Sequence, residues 1–236
     1  NHVSNVTGTI VPVERIAKAS KDYGAIVVVD GSQSIGLIPI DISKMDIDYL
    51  IFAGHKNLYA SWGIGGFICH SSYELKPTLS GGTGSDSLNL SMPDSIPYGF
   101  EFASPNIIAI ASLNTSLKWL EQESLEIISR HKNKLMQRLV EKLKDCDVQL
   151  YLPTNLANHT SVLSFNIPEY EADEVGVILN EDFDIAVRTG YHCAPYIHQF
   201  LKTVECKGTV RVSLGYFNTE DDIDALVDAV KDIVRG

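Results

Sequence analysis

The sequence predicts an α/β large domain with a mainly parallel sheet over residues 1–117, followed by a smaller α+β domain over residues 118–236. The large domain is predicted by AIVVVD at residues 25–30, an unbroken β-branched run typical of a parallel strand covered on both faces. The smaller domain is predicted by a change from long helical patterns to short strands separated by helices. We therefore expect two modest hydrophobic cores.

The chain is acidic, with a formal net charge of −11 over 236 residues. This charge argues against a nucleic-acid or anionic-membrane surface, because both kinds of binding rely on clustered Lys and Arg. No apolar stretch approaches the ~20 residues that a membrane helix needs. The four cysteines, Cys69, Cys146, Cys193 and Cys206, show no zinc-binding spacing, so we expect free thiols, no metal and a cytoplasmic location.

The first elements follow from periodicity and from their end residues. Residues 13–23 carry apolar side chains at helical spacing, and Gly24 follows where a helix C-terminal glycine is common. The run at residues 25–30 then predicts a strand that ends in Asp30. A carboxylate is therefore expected at the C-terminal end of the first strand.

Two further apolar runs predict strands at residues 48–54 and 63–70. The first of them is followed at once by His55 and Lys56. Ligands of open α/β sheets bind outside the carboxyl ends of the strands, so we expect Asp30 and Lys56 to line one crevice.

The remaining pattern predicts a loop and then the smaller domain. Residues 80–105 contain GGTGSDS and little periodicity, which indicates a long loop of the kind that is often functional. Helical spacing predicts helices at residues 107–120 and 125–143. The smaller domain is expected to contain strands at 161–167, 184–190 and 209–215, a helix at 172–179, and a C-terminal helix capped by Asn218 or Thr219.

Four sequence blocks carry a family resemblance: VDGSQS at 29–34, FAGHKNLY at 52–59, RTGYHCAP at 188–195, and TVRVSLGYFNTEDDID at 209–224. Together they resemble the cysteine desulfurases, which have the class V aminotransferase fold and use pyridoxal 5′-phosphate (PLP). RTGYHC is similar to the cysteine loop of the Suf-like members. The resemblance covers the whole chain and implies a PLP-dependent transferase fold of type I, with an N-terminal part of the large domain missing before Asn1.

The resemblance implies which residues bind the cofactor. A PLP enzyme needs a lysine that bonds the cofactor aldehyde and an acid that keeps the pyridine nitrogen protonated. These roles fall to Lys56 and Asp30, while Gln33 is expected at the ring hydroxyl and His55 at the phosphate. Ala53 stands where relatives often have a phosphate-binding serine, which puts one phosphate contact in doubt.

Further residues are implied for a shared active site. The segment FEFASPN at 100–106 resembles one that brings a hydroxyl, here Ser104, to the phosphate of a neighbouring subunit, which implies a homodimer. Arg211 corresponds to the arginine that grips the substrate carboxylate, aided by Asn5, and Arg188 is expected as a loop anchor or a second anion contact. Without the resemblance, Arg211 would more simply be a surface ion pair.

Cys193 distinguishes desulfurases from other enzymes of this fold. Its loop also contains Arg188 and His192, and nearby positive charge favours the nucleophilic thiolate. The implied reaction converts L-cysteine to L-alanine, leaves a persulfide on Cys193, and passes the sulfur to an acceptor protein, as in iron–sulfur cluster assembly. Three alternatives stay open: a selenocysteine lyase, a class V aminotransferase, or a truncated non-catalytic piece that acts as a scaffold.

Overall fold

The computed structural model describes residues 1–69, 75–84 and 88–236, and within them the chain forms two three-stranded sheets with six α-helices. The strands are β1 (Val28–Asp30), β2 (Tyr49–Ala53), β3 (Gly65–Cys69), β4 (Gln149–Tyr151), β5 (Val162–Asn166) and β6 (Val210–Ser213). The helices are α1 (Val13–Lys21), α2 (Ile107–Glu123), α3 (Leu125–Leu143), α4 (Ala172–Phe183), α5 (Pro195–Leu201) and α6 (Glu220–Arg235).

The first sheet has the order β1-β2-β3 and is mixed, whereas a mainly parallel sheet was predicted. β1 pairs with β2 in parallel, with Asp30 opposite Ile51, and β2 pairs with β3 antiparallel. The connections explain the difference. Residues 31–48 are long enough for a parallel crossover, but the link at residues 54–64 is shorter than the dozen or more residues that such a crossover takes.

Helix α1 packs against one face of the first sheet, and the other face is only partly covered. Val29 and Leu50 are buried with Val13 and Ala17 of α1 in a small core. The opposite face exposes apolar side chains; Val28, for example, retains 55 % of its accessible surface. The prediction that β1 is covered on both faces is therefore wrong within this chain, although its β-branched composition did identify the strand.

The second sheet has the order β4-β5-β6 and is antiparallel throughout. All five residues of its central strand, β5, are buried. Helices α3, α4 and α6 cover the sheet with a large core, which includes Leu139, Leu179 and Val227. The apolar side chains of β5, β6 and these three helices are therefore packed together in one core.

Most helix boundaries follow the predicted pattern. α3 has the predicted bounds, and α6 starts after Thr219, whose side chain accepts a hydrogen bond from the amide of Asp222 in a capping box. The prediction of a strand at 184–190 is wrong: Arg188 and Arg211 form an isolated bridge, and Gly190, at φ 92°, interrupts the extended conformation.

Other predictions concern the connections. β4 and α5 were not predicted, because each is short. The described residues of the loop predicted at 80–105 form no helix or strand, as expected. Residues 85–87 of that loop, and His70 at the end of the strand predicted at 63–70, lie outside the described residues. The predicted domain boundary at 117/118 falls inside α2, and the division there stays a prediction.

Across residues 1–69, 75–84 and 88–236, no helix combines the length and apolar composition required to cross a membrane.

Candidate functional site

Residues 54–60, which we call the lysine turn, follow directly from the C-terminal end of β2. The turn is closed by two backbone hydrogen bonds: the amide of Ala60 donates to the carbonyl of Gly54 at 2.9 Å, and that of Tyr59 donates to the carbonyl of Lys56 at 3.0 Å. Lys56 is half-buried. The turn therefore holds an amine at the end of the strand that neighbours β1.

Asp30 closes β1, the parallel neighbour of β2, so the carboxylate and the lysine turn lie at the same edge of the sheet. Its Oδ1 accepts a hydrogen bond from the amide of Ser32 at 2.9 Å. Burial acts to raise the pKa of Asp30, but the hydrogen bonds from Ser32 and the positive charge of Lys56 outweigh it and lower the pKa. Asp30 is therefore ionised at neutral pH.

Gln33 and His55 lie on the two segments that meet at this edge. The backbone carbonyl of Gln33 accepts a hydrogen bond from Nδ2 of Asn57 at 2.7 Å, which ties the turn after β1 to the lysine turn. The ring of His55 stacks on the exposed Trp62, with centroids 4.6 Å apart and planes 10° from parallel. Both side chains remain half-buried.

A second group of candidate residues surrounds the loop at residues 188–194, which we call the cysteine loop. Cys193 is exposed, and both it and His192 have positive φ angles, 59° and 51°. Two consecutive non-glycine residues in the left-handed backbone conformation are uncommon, and surrounding contacts are needed to hold them there. His192 is that anchor: its Nε2 donates to the carbonyl of Thr209 at 3.0 Å and lies 2.9 Å from its Oγ1.

Two arginines flank the thiol. The isolated bridge places Arg188 beside Arg211, and Nη2 of Arg188 lies 3.6 Å from the sulfur of Cys193. Burial lowers the pKa of Arg211, and the charge of Arg188 adds to this effect while Cys193 opposes it. Among the described residues, Nε of Arg211 is buried without a hydrogen-bond partner. A guanidinium with an unused N–H donor can donate a hydrogen bond to a bound anion.

Asn5 links the cysteine loop to Arg211. Its side-chain Nδ2 donates to the backbone carbonyl of His192 at 2.6 Å, and its backbone carbonyl accepts from Nη1 of Arg211 at 3.1 Å. Three residues earlier, the amide of His2 donates to the carbonyl of Asp30 at 2.9 Å. The N-terminal segment thus connects the Asp30 edge of the first sheet with the cysteine loop beside the second.

The predicted site residues lie in two groups, one at the edge of each sheet, and one residue lies apart from both. The edge of the first sheet holds Asp30, Gln33, His55 and Lys56, and the edge of the second holds Asn5, Arg211 and the cysteine loop. Ser104 lies in an exposed segment ahead of α2. Within the described part of the chain, no hydrogen bond or ion pair joins Ser104 to either group.

Two residues beside the site were missed in the sequence. Asn57 and Lys132 form a hydrogen bond of 2.8 Å between Oδ1 and Nζ, next to Lys56. The available signal was Lys132 itself, since it occupies an apolar position of α3 between Ile128 and Leu135. We also find no cluster of three or more His, Cys, Asp or Glu side chains suited to a metal in the described ranges.

Comparisons with known proteins identify the family to which the chain belongs. The family model for class-V aminotransferases matches residues 1–226. A probable cysteine desulfurase from Pyrococcus abyssi is 34 % identical, with 99 % of this chain covering 58 % of that protein. A cysteine desulfurase from Escherichia coli O157:H7 is 33 % identical, with 99 % of this chain covering 57 % of the relative.

Solved structures give the same result at the level of the fold. The apo cysteine desulfurase of Thermococcus onnurineus NA1 superposes with a TM-score of 0.87 at 34 % identity, with 100 % of this chain covering 59 % of that one. The S-sulfonic acid form of the Escherichia coli cysteine desulfurase CsdA gives a TM-score of 0.86 at 27 % identity, with coverages of 99 % and 58 %. The chain spans less than two thirds of the length of these relatives. With its match over residues 1–226, the chain belongs to the class-V aminotransferase family, and its fold is that of the cysteine desulfurases it resembles.

Proposed function

We propose that this protein is a PLP-dependent cysteine desulfurase that converts L-cysteine to L-alanine and takes the sulfur onto Cys193. The observation that carries the proposal is the contact between Arg188 and the exposed sulfur of Cys193, next to the half-buried Arg211, whose buried Nε has no partner in the described residues. A thiol beside guanidinium groups that can hold a carboxylate is suited to attack the sulfur of a bound amino acid.

The chemistry of the first-sheet edge fits PLP. Asp30 is ionised, so it can keep a pyridine nitrogen protonated, and Lys56 supplies the amine that would hold the cofactor aldehyde. Gln33 would contact the ring hydroxyl and His55 the phosphate. When bound, PLP would supply an electron sink for negative charge at the substrate Cα.

The residues of the chain then divide the remaining work. Arg211 and Asn5 would bind the substrate carboxylate, with Arg188 as a second anion contact, and Nζ of Lys56 would move the Cα proton. The Cys193 thiolate would form a sulfur–sulfur bond with the substrate while the substrate Cβ–S bond breaks. The carbon keeps that electron pair and is protonated, so cysteine plus thiol gives alanine plus persulfide.

The proposal extends to the wider assembly. The persulfide would pass to a sulfur-acceptor protein in the cytoplasm, for example in iron–sulfur cluster assembly. Ser104 would contact the phosphate in the partner subunit of a homodimer, and its exposed position leaves it available for that contact. We also propose residues 1–117 and 118–236 as the two domains, because the sheets have separate cores.

The decisive experiment compares Cys193→Ala with Cys146→Ala, in which the replaced thiol is half-buried in the turn after α3. Alanine release from cysteine should fall by about a thousandfold in Cys193→Ala and stay near the wild-type rate in Cys146→Ala. Mass spectrometry should find the persulfide on the Cys193 peptide. Normal desulfuration by Cys193→Ala would contradict the proposal.

The same variants separate the alternatives. A selenocysteine lyase should keep selenocysteine cleavage in Cys193→Ala, and an aminotransferase should ignore the substitution and require a keto-acid acceptor. Borohydride reduction with added PLP should label Lys56. A folded protein without this label would instead be a scaffold.

A further inference from the structure

Lys132 is a buried amine that the proposed chemistry does not use. It lies on α3 and retains 2 % of its accessible surface. The neighbouring core contains Ile128, Leu120 and Leu58, all of them buried apolar residues. Burying a charged side chain in such a place costs free energy unless its hydrogen bonds are made within the protein. A well-packed apolar residue of similar size would stabilise the core more.

The amine has a specific partner. Nζ of Lys132 donates to Oδ1 of Asn57 at 2.8 Å, and no ion pair involving Lys132 is found in the described ranges. Burial lowers the pKa of Lys132 to about 8. Since an ammonium group is a donor only, it fixes which end of the Asn57 amide faces α3.

The orientation of Asn57 has a direct consequence. With Oδ1 facing Lys132, Nδ2 is free to donate to the backbone carbonyl of Gln33 at 2.7 Å. The segment beyond Gln33 also lies close to this position, because a Cβ built on Gly36 would be only 2.2 Å from the carbonyl oxygen of Asn57. Three segments therefore meet at the residue that directly follows Lys56.

We propose that Lys132 is a positioning residue for the cofactor site: through Asn57 it holds the lysine turn against the Gln33 segment and so fixes Lys56 relative to Asp30. This inference rests on the proposed PLP site. Lys132 would not touch the cofactor, since its amine is engaged by Asn57 in the core beneath the turn.

The test uses three variants, Lys132→Met, Asn57→Leu and the double variant with both changes. Lys132→Met keeps a long apolar stem but removes the donor. Asn57→Leu leaves a buried amine without its acceptor, so its melting temperature should fall most, whereas the double variant replaces both polar partners and should recover much of that loss. Lys134→Met is the matched control, because Lys134 lies on the same helix but is exposed and paired with Glu220.

Two readouts separate positioning from stability. Hydrogen exchange of peptides covering residues 54–60, measured without PLP, should become faster in Lys132→Met and in the double variant. PLP affinity, followed by absorbance, should weaken by about tenfold or more in both, including the double variant with recovered melting temperature. Lys134→Met should match the wild type in both measurements.

Three outcomes are informative. Unchanged exchange in the lysine turn of Lys132→Met would overturn the positioning role. Wild-type PLP affinity in the double variant would also overturn it, because the residues would then act only through stability. Failure of the wild-type protein itself to bind PLP, with faster exchange in Lys132→Met, would contradict the proposed cofactor site while leaving the clamp on the turn demonstrated.

Discussion

The two sheets of this chain differ in how completely their apolar residues are covered. Every residue of β5 in the second sheet is buried, whereas every residue of β3 in the first sheet is exposed or half-buried. Phe165 of β5 is fully buried, but Phe67 of β3 retains 44 % of its accessible surface. Most of the stabilising burial in the chain therefore lies in the second sheet and its helices.

This difference also divides the candidate site. The cysteine loop and Arg211 lie along β6 of the well-packed sheet, where His192 and Thr209 anchor them. The lysine turn lies on the less covered sheet, where polar clamps such as the Asn57 bonds to Gln33 and Lys132 supply part of the rigidity that packing supplies elsewhere. Functional side chains need rigid support. Core packing provides it for the cysteine loop, and buried hydrogen bonds provide part of it for the lysine turn.

The largest expected effect comes from the same substitution made in both sheets. Phe165→Ala should lower the free energy of unfolding by about 3–5 kcal/mol, because it opens a cavity in a closed core. Phe67→Ala should cost only about 1 kcal/mol, since its ring already contacts solvent. Urea unfolding followed by circular dichroism measures both. Similar losses would mean that the first sheet is covered in solution.

A second prediction concerns pH. Burial, helped by the nearby charge of Arg211, lowers the pKa of His192 to about 4 from 6.5. Between these pH values the unfolded chain binds a proton that the folded chain does not, so stability falls as pH falls from 6.5 to 4. The lowered pKa of His192 contributes on the order of 2–3 kcal/mol to the free energy of unfolding above pH 6.5, and this contribution is lost as the pH falls to 4.

The variant His192→Gln isolates that contribution. It removes the titrating ring, so its unfolding free energy should fall less steeply between pH 7 and pH 4 than that of the wild type, whatever its stability at pH 7. Urea titrations at both pH values give the two slopes. Parallel slopes would show that His192 takes up a proton in the folded state and that this part of the second region is open to water.

The sequence could predict elements that depend on local patterns. The helical spacing of Ile128, Leu135 and Leu139 was sufficient to place α3, and Thr219 was one of two residues suggested as the cap of α6. The β-branched run before Asp30 identified β1. Each of these features depends on residues within a few positions of one another, so periodicity and capping chemistry are enough.

Features that depend on distant residues could not be predicted in this way. The exposure of Val28 depends on what covers the sheet rather than on the strand itself. The bond between Asn57 and Lys132 joins positions 75 residues apart. For the candidate site, the motifs identified which residues to expect but not how they contact one another. Arg188 contacts Cys193 across the turn at Gly190, and the same turn is the reason that the predicted strand does not form.

The smallest expected effect comes from a nearly isosteric pair, Val210→Thr and Val28→Thr. Val210 is fully buried in β6, so its replacement places a hydroxyl in the core and should cost about 1–3 kcal/mol. Val28 is 55 % exposed, and threonine suits a strand, so that change should alter the unfolding free energy by less than about 0.5 kcal/mol. The two variants add the same hydroxyl and differ only in which sheet receives it. An equal loss of unfolding free energy in Val28→Thr and Val210→Thr would mean that another surface packs against the first sheet in solution. The difference in coverage between the two sheets would then hold only for a single chain.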